Sequence, residues 1–421
     1  MLRIREFRWL SAAQALSCLG DQFAQVAIAL LVYDRTGSPL LTAIVYALTY
    51  LPPIVGGPLL SGLADLFPRR TVMVSCDLIR MVTVALMAVP GVPFWMLCAL
   101  LFSTVLLGAP FFSARAALLP DILPARNLVI GSAVANTIHQ ATQIVGFVAG
   151  AAAVAAVGAN RTLALDALSF GISALVILAA IRPRPAAAGH PAGARPAATG
   201  IGGHLRVIGG SAGDGIRVVF GNRTLRTLVF FGWLAGFYIV TEGLAAPYAR
   251  AIGGDAITVG LLMASVPTGT ALGAMLIGRL ARPSTQLWTM GWLAVLSCAP
   301  LVASIWNPPL WAVLPLWVLA GVGGSFQIVA IPAFALALTP ETRGRAFGVA
   351  QSGLYAVQGI GILAGGAVAS VLGAPAAVGL SGVAGVLVAL SLAISWTRLR
   401  RQVIASQRPS QDVNCATDGS G

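Results

Sequence analysis

The sequence predicts an all-α membrane protein of twelve transmembrane helices arranged as two pseudo-symmetric six-helix bundles. Three observations carry that reading. Hydrophobic residues make up 57% of the 421 and charged residues only 9%, so the solvent for most of the chain is lipid. Apolar runs of about 20 residues, the length needed to cross the hydrocarbon core, recur twelve times between Gly, Pro and Arg punctuation. A constant spacing of 215 or 216 residues then maps the first half onto the second: Gly20 onto Gly236, Gly57 onto Gly273, Pro124 onto Pro340, and Asn136, Gln140, Gln143, Gly146 and Gly150 onto Gln351, Tyr355, Gln358, Gly361 and Gly365. A repeat of that size implies two parallel six-helix units facing each other, an architecture that supports rocking alternating access.

The first bundle, residues 1–181, holds spans at 7–33, 39–64, 71–89, 93–118, 127–156 and 161–181. Span one follows Arg3, Arg5 and Arg8, but its apolar run is too long for a signal peptide and no small-x-small cleavage site follows. It is expected to stay uncleaved. Asp21 lies near its middle with no basic residue close by in sequence, where a charged Asp costs about 2.5–3.5 kcal/mol. An unpaired carboxylate there is expected to take up and release a proton during a transport cycle. Span two ends at Gly62 and Asp65, just before Arg69 and Arg70. Span three carries Asp77 and Arg80 on one face, and with Arg115 of span four they read either as a cluster pinning helices together or as a charge relay. Span five bears a polar stripe, Asn136, His139, Gln140 and Gln143, followed by Gly146 and Gly150 at the Gly-x-x-x-Gly packing interval. Asp166 near the outer end of span six is expected to pair with Arg161.

Residues 182–224, rich in Pro, Ala and Gly at the start, read as a linker containing His190 and His204. The second bundle, 225–397, holds spans at 225–248, 256–280, 285–305, 309–338, 346–372 and 375–397, and a polar tail occupies 398–421. In span seven Glu242 is either a second titrating group or a partner of Arg250, and Trp233 offers a stacking surface for an apolar cargo. Gln351, Tyr355 and Gln358 repeat the polar stripe on span eleven. All 26 basic residues are arginine; twenty-one fall on the side that holds both termini and the linker, and three on the other. By the positive-inside rule both termini are cytoplasmic and the membrane is the cell membrane.

Gly62-Leu63-Ala64-Asp65-Leu66-Phe67-Pro68-Arg69-Arg70 resembles the signature loop of the major facilitator superfamily. The Phe67-Pro68-Arg69-Arg70 variant, Asp77-Leu78-Ile79-Arg80 and Thr339-Pro340-Glu341-Thr342-Arg343-Gly344-Arg345 look like the branch that contains macrolide-type drug and siderophore exporters. The resemblance implies that Asp65 latches onto the opposite half near the start of span eleven, and that spans five and eleven border a central cavity. The second copy has Ala281 in place of Asp65, so one latch is expected. Gly146-Phe147-Val148-Ala149-Gly150-Ala151 departs from the family's antiporter signature, with Phe147 replacing a proline and Ala151 a glycine.

These features point to a proton-coupled efflux transporter for small amphipathic compounds, acting as a monomer, with an importer or facilitator of a metabolite as the alternative in the same fold. A polytopic membrane enzyme or a transport-dead sensor finds less support: no span-end cluster of His, Asp and Glu forms a catalytic constellation, and linker and tail are short and featureless. No nucleotide-binding Gly-x-x-x-x-Gly-Lys motif is present, which leaves an ion gradient, or ATP on another chain, as the energy source; no cofactor is expected. No aromatic-interleaved basic face suggests nucleic-acid binding. Cys18, Cys76, Cys98 and Cys298 lie within spans and Cys415 in the tail, without metal-ligand spacing, so neither a disulfide nor a metal site is expected.

Overall fold

A computed structural model describes residues 4–60, 66–184, 213–280 and 283–407, and every regular element among them is helical. The long helical segments are α1 (Arg5–Thr36), α2 (Pro39–Gly57), α3 (Arg69–Met87), α4 (Phe94–Ile122), α5 (Ile130–Val157), α6 (Ala159–Ala180), α7 (Arg223–Gly243), α8 (Ala256–Arg279), α9 (Thr285–Trp306), α10 (Leu310–Leu336), α11 (Glu341–Leu372) and α12 (Ala374–Leu399). Eleven of them are long and apolar enough to cross a bilayer. The remaining one, α3, has 19 residues but carries Arg69, Arg70, Asp77 and Arg80. The seventh span is shorter than expected. At Leu244 the backbone leaves helical geometry (φ −107°, ψ 10°) and a separate short helix, Ala245–Ala251, follows.

The turns at one end of the bundle repeat with the sequence. Gly37, Gly91 and Gly158 have left-handed φ values of 61°, 86° and 84°, and their counterparts Gly253, Asn307 and Gly373 have 74°, 47° and 84°. Gly37, Gly158, Asn307 and Gly373 cap the helix before them, and Gly91 and Gly253 lie in the turn just past one; glycine adopts a positive φ without penalty, and asparagine tolerates it in the left-handed helical form seen at Asn307. Ser38 then caps α2, its hydroxyl accepting from the Leu41 amide at 3.3 Å, with Pro39 at the first helical position.

Packing repeats as well. In the first half α1 lies against α5 and α6; in the second α7 lies against α11 and α12. Gly146 and Gly150 are the close-approach points of α5 on α1: a Cβ on Gly146 would stand 2.6 Å from the Gln22 Cβ, and one on Gly150 3.0 Å from the Phe23 Cα. Gly361 on Gly236 and Gly365 on Val240 make the same contact between α11 and α7. The halves meet where α5 packs on α8 and α2 on α11. Those contacts gather toward the tight-turn end, where Gly260 abuts Ala151 and Phe147, Gly366 abuts Ala43, and Asp34 pairs with Arg250 at 2.9 Å.

The cores of the halves differ. One continuous apolar cluster fills the second half and extends through the closed end to Val26, Tyr46 and Phe147 of the first. The first half holds two separate clusters, one around Phe7, Met73, Phe111 and Ile177 and one around Ile28, Val84, Leu97 and Phe170. A layer of buried charge lies between them.

Candidate functional site

That layer is built by α1, α3, α4 and α6. Arg80 of α3 donates from Nη2 to Asp21 Oδ1 of α1 at 2.6 Å, and its guanidinium lies 4.1 Å over the Phe170 ring of α6. Asp21 is therefore paired, which corrects the expectation drawn from its sequence neighbours; the cation comes from 59 residues away. No ion pair joins Arg80 to Asp77 three residues before it. Asp77, fully buried, instead accepts from the Ser173 hydroxyl at 2.7 Å. Arg115 of α4 is buried and its Nε makes no hydrogen bond among the described residues.

Asp166 departs further from expectation. No ion pair joins it to Arg161, which is exposed; Asp166 is buried and accepts from Ser169 at 3.2 Å. Gly20 makes this possible, because a side chain there would occupy the space of the Asp166 carboxylate and the Ser169 hydroxyl. The missing Cβ lets α6 bring a second carboxylate against α1 beside Asp21. A glycine one residue before an intramembrane Asp was the available signal.

Above this layer a cavity of about 630 Å3 opens between the halves. Asp21, Arg80 and Asp166 line it, together with His139 and Gln143 of α5 and Gln351 and Tyr355 of α11. Most of its remaining wall is apolar or aromatic, with Ile28, Met87, Leu101, Phe112, Tyr46 and Tyr50 among it, interrupted by Gln22, Gln25, Thr49, Thr104, Ser113 and Ser352. Three other stripe residues, Asn136, Gln140 and Gln358, are not in its lining. Trp233 is not either: it packs with Phe220 and Phe230, and its Nε1 donates to the Ala350 carbonyl at 3.0 Å, so it anchors α7 on α11 rather than facing a cargo.

Glu242 does not line the cavity but lies behind the lining residue Tyr46. It is buried, and the Tyr46 hydroxyl of α2 reaches it at 2.8 Å across the two halves. Arg250 is not its partner, being paired with Asp34. Tyr46 also stands 3.2 Å from Gln25 Oε1. A phenol has one proton to donate, so it can serve Gln25 only if Glu242 donates a proton in return, or if the Gln25 amide is turned round.

Gly62 and Asp65 lie outside the described residues. Their neighbours Arg69 and Arg70 bind within the first half, Arg69 to the Asp121 carboxylate and Arg70 to the Leu178 carbonyl. Cys18, Cys76, Cys98 and Cys298 are free thiols.

Comparison with known proteins places this geometry. The family model described as Major Facilitator Superfamily matches residues 10–246 and 241–417. Multidrug efflux pump Tap of Mycobacterium tuberculosis is 27% identical over 378 residues, covering 84% of each chain. Macrolide efflux protein A of Streptococcus pyogenes is 24% identical over 176 residues, which cover 41% of this chain and less than half, 44%, of that relative. Among solved structures, a bacterial homolog of the human lysosomal transporter Spinster, inward-facing and unoccupied, superposes with a TM-score of 0.71 at 14% identity, covering 95% of this chain and 97% of that one.

Proposed function

The chain belongs to the Major Facilitator Superfamily of transporters and is not an enzyme, and from that premise we propose that it exports small amphipathic compounds in exchange for protons. The observation that carries the reading is the cavity itself, whose apolar and aromatic walls are joined on one side to a buried, charged layer. Apolar walls bind a cargo by shape and area; the charged layer supplies groups whose protonation can be tied to occupancy. Export, rather than uptake, is supported by the efflux function in the names of Tap and macrolide efflux protein A.

Charge balance supports the coupling. The layer holds three carboxylates, Asp21, Asp77 and Asp166, against two guanidinia, Arg80 and Arg115. Leaving one buried negative charge uncompensated is costly, and a single added proton removes it. Asp21 is held by Arg80, while Asp77 and Asp166 each accept from a serine hydroxyl, Ser173 and Ser169; of these two only Asp166 lines the cavity, so we assign the exchangeable proton to it in this conformation. When cargo or proton enters, Arg80 can be redistributed between Asp21 and Asp166. Glu242 is the second exchanging group: its protonation decides whether Tyr46 can bridge the halves and also serve Gln25.

Alternating access then consists of opening the contacts of α2 with α11 and of α5 with α8 while the opposite end closes. The resemblance of residues 62–70 to the superfamily's signature loop supports Asp65 as the residue that latches the halves at that end. Both termini face the cytoplasm, so the cavity is open to the cytoplasm in this conformation, and the functional unit is one chain. The test is expression in an efflux-deficient bacterial strain screened against a panel of antibiotics. Export predicts raised resistance to a subset of amphipathic compounds and lowered accumulation of them, with Asp65→Asn inserting normally but conferring neither. An unchanged resistance profile together with faster uptake of a metabolite would establish the importer reading instead.

A further inference from the structure

A second pocket, of about 530 Å3, lies away from the cavity, where the beginning of α1, the beginning of α3 and the end of α6 come together. Four arginines line it, Arg5, Arg70, Arg182 and Arg184, against a single carboxylate, Glu6. Glu6 is shared: Arg184 reaches it at 2.6 Å and Arg182 at 3.7 Å. Even after the half-charge of the α6 C-terminus is counted, the pocket keeps an excess of more than two positive charges. Within it Arg70 Nε and Arg184 Nη1 are buried and make no hydrogen bond among the described residues. A buried guanidinium N–H without an acceptor is costly, and two in one basic pocket call for an anion with several acceptor oxygens.

The surroundings narrow the anion's source. The pocket sits at helix ends, the level of the headgroups in a bilayer. The α6 face leading to it exposes Leu168, Ile172 and Leu175 at helical spacing, ending in the pocket residue Leu178, half-exposed itself. Trp9, exposed on α1, lies at the same level with the Arg8 guanidinium 5.9 Å from its ring centre, as interfacial aromatics do. An apolar track running into a basic pocket with room for a phosphate-bearing headgroup is the shape of a lipid: acyl chains along α6, headgroup among the arginines.

We propose that this pocket binds the phosphate of an anionic phospholipid, joining the starts of α1 and α3 to the end of α6. The chemistry recognised is a phosphate, and a soluble phosphate would satisfy the same donors but not the track.

The experiment uses the full chain purified in a neutral detergent. Phosphatidylglycerol, phosphatidylcholine and inorganic phosphate are titrated separately, with lipid retention read by native mass spectrometry and protection by the thermal midpoint. Saturable retention of phosphatidylglycerol over phosphatidylcholine is expected, falling about fivefold for each arginine lost in Arg182→Gln and Arg184→Gln, and weakening with salt. Glu6→Gln should shift affinity the other way, tightening retention, because it frees Arg184 from its carboxylate; that opposite sign separates loss of a site from loss of folding. Equal retention of the two lipids, or variants indistinguishable from the unaltered chain, overturns the site. Protection by inorganic phosphate as strong as by phosphatidylglycerol overturns the lipid and leaves a soluble phosphate as the ligand.

Discussion

Replacing Asp21 with Asn removes the only carboxylate among the described residues that is bonded to Arg80, whose side chain is 4% exposed. Arginine cannot shed its charge, and Arg80 Nε and Nη1 already lack partners among the described residues. Breaking a buried ion pair from one side costs about 3–5 kcal/mol. Asp21 is itself 25% exposed to the cavity, the Phe170 ring still holds the cation, and Asp166 can give up its proton to offset part of the charge, so the loss should be at most about 3 kcal/mol. The reverse change, Arg80→Gln, should cost roughly half as much, because a carboxylate left alone can take up a proton and become neutral. Asp21→Asn combined with Arg80→Gln should regain most of the loss, since neither charge then remains. Thermal midpoints of the three purified variants, followed by tryptophan fluorescence and by loss of monodisperse protein on heating, should rank double variant above Arg80→Gln above Asp21→Asn. None of the three should transport. If Asp21→Asn melts with the unaltered chain, or the double variant melts below both singles, the ion pair is not what holds α1 to α3 and the charge balance is wrong.

Three further outcomes follow from other elements. Tyr46→Phe removes the cross-half hydrogen bond to Glu242, about 1.5–3 kcal/mol if that group is ionised, and should shift the closed end toward open by tenfold or more; labelling of a cysteine placed at Ala29 from the tight-turn side reads it, and unchanged labelling counts against the gate. Gly158→Ala and Gly373→Ala, at equivalent turns with φ of 84°, should each destabilise by about 1–2 kcal/mol, and a large difference between them in thermal midpoint would mean the repeat does not extend to these turns. Asp255 lies just before α8 and its carboxylate is held below the usual range by its hydrogen bonds to the Thr258 amide and hydroxyl, at 2.9 and 3.0 Å. A carboxyl with a lowered folded value stabilises above the usual Asp range and loses that contribution as pH falls through its own value, so Asp255→Asn should be less stable than the unaltered chain at neutral pH and equal to it in acid.

Much of the fold is legible in the sequence because each of its rules acts locally. Span length follows from bilayer thickness, and the 215–216 spacing exposes the repeat without any contact being known. The same spacing could have found the turn pairs, since Gly37 and Gly253, Gly91 and Asn307, and Gly158 and Gly373 obey it. The site is less legible because its bonds join residues far apart along the chain. Asp21 meets Arg80 across 59 residues and Glu242 meets Tyr46 across 196, and no helical periodicity predicts either. Charges close in sequence suggested false partners instead: Arg161 for Asp166, and Arg250 as one of two readings for Glu242. A polar stripe also covers more of a helix than a cavity does, which is why His139 and Gln143 line it while Asn136 and Gln140 do not. Trp233 satisfies its indole N–H on a backbone carbonyl, a partner that sequence does not reveal.

The most direct test of coupled export is flux in proteoliposomes with an imposed pH gradient, using a radiolabelled macrolide and a fluorescent organic cation as probes and comparing the unaltered chain with Asp166→Asn. Coupling through the buried layer predicts that the unaltered chain concentrates at least one probe in the direction opposite to proton flow and loses that accumulation when a protonophore collapses the gradient. It predicts that Asp166→Asn, which fixes the neutral form, still exchanges probe downhill but cannot concentrate it. Accumulation that ignores the gradient, or a variant that concentrates the probe as well as the unaltered chain, would contradict the account.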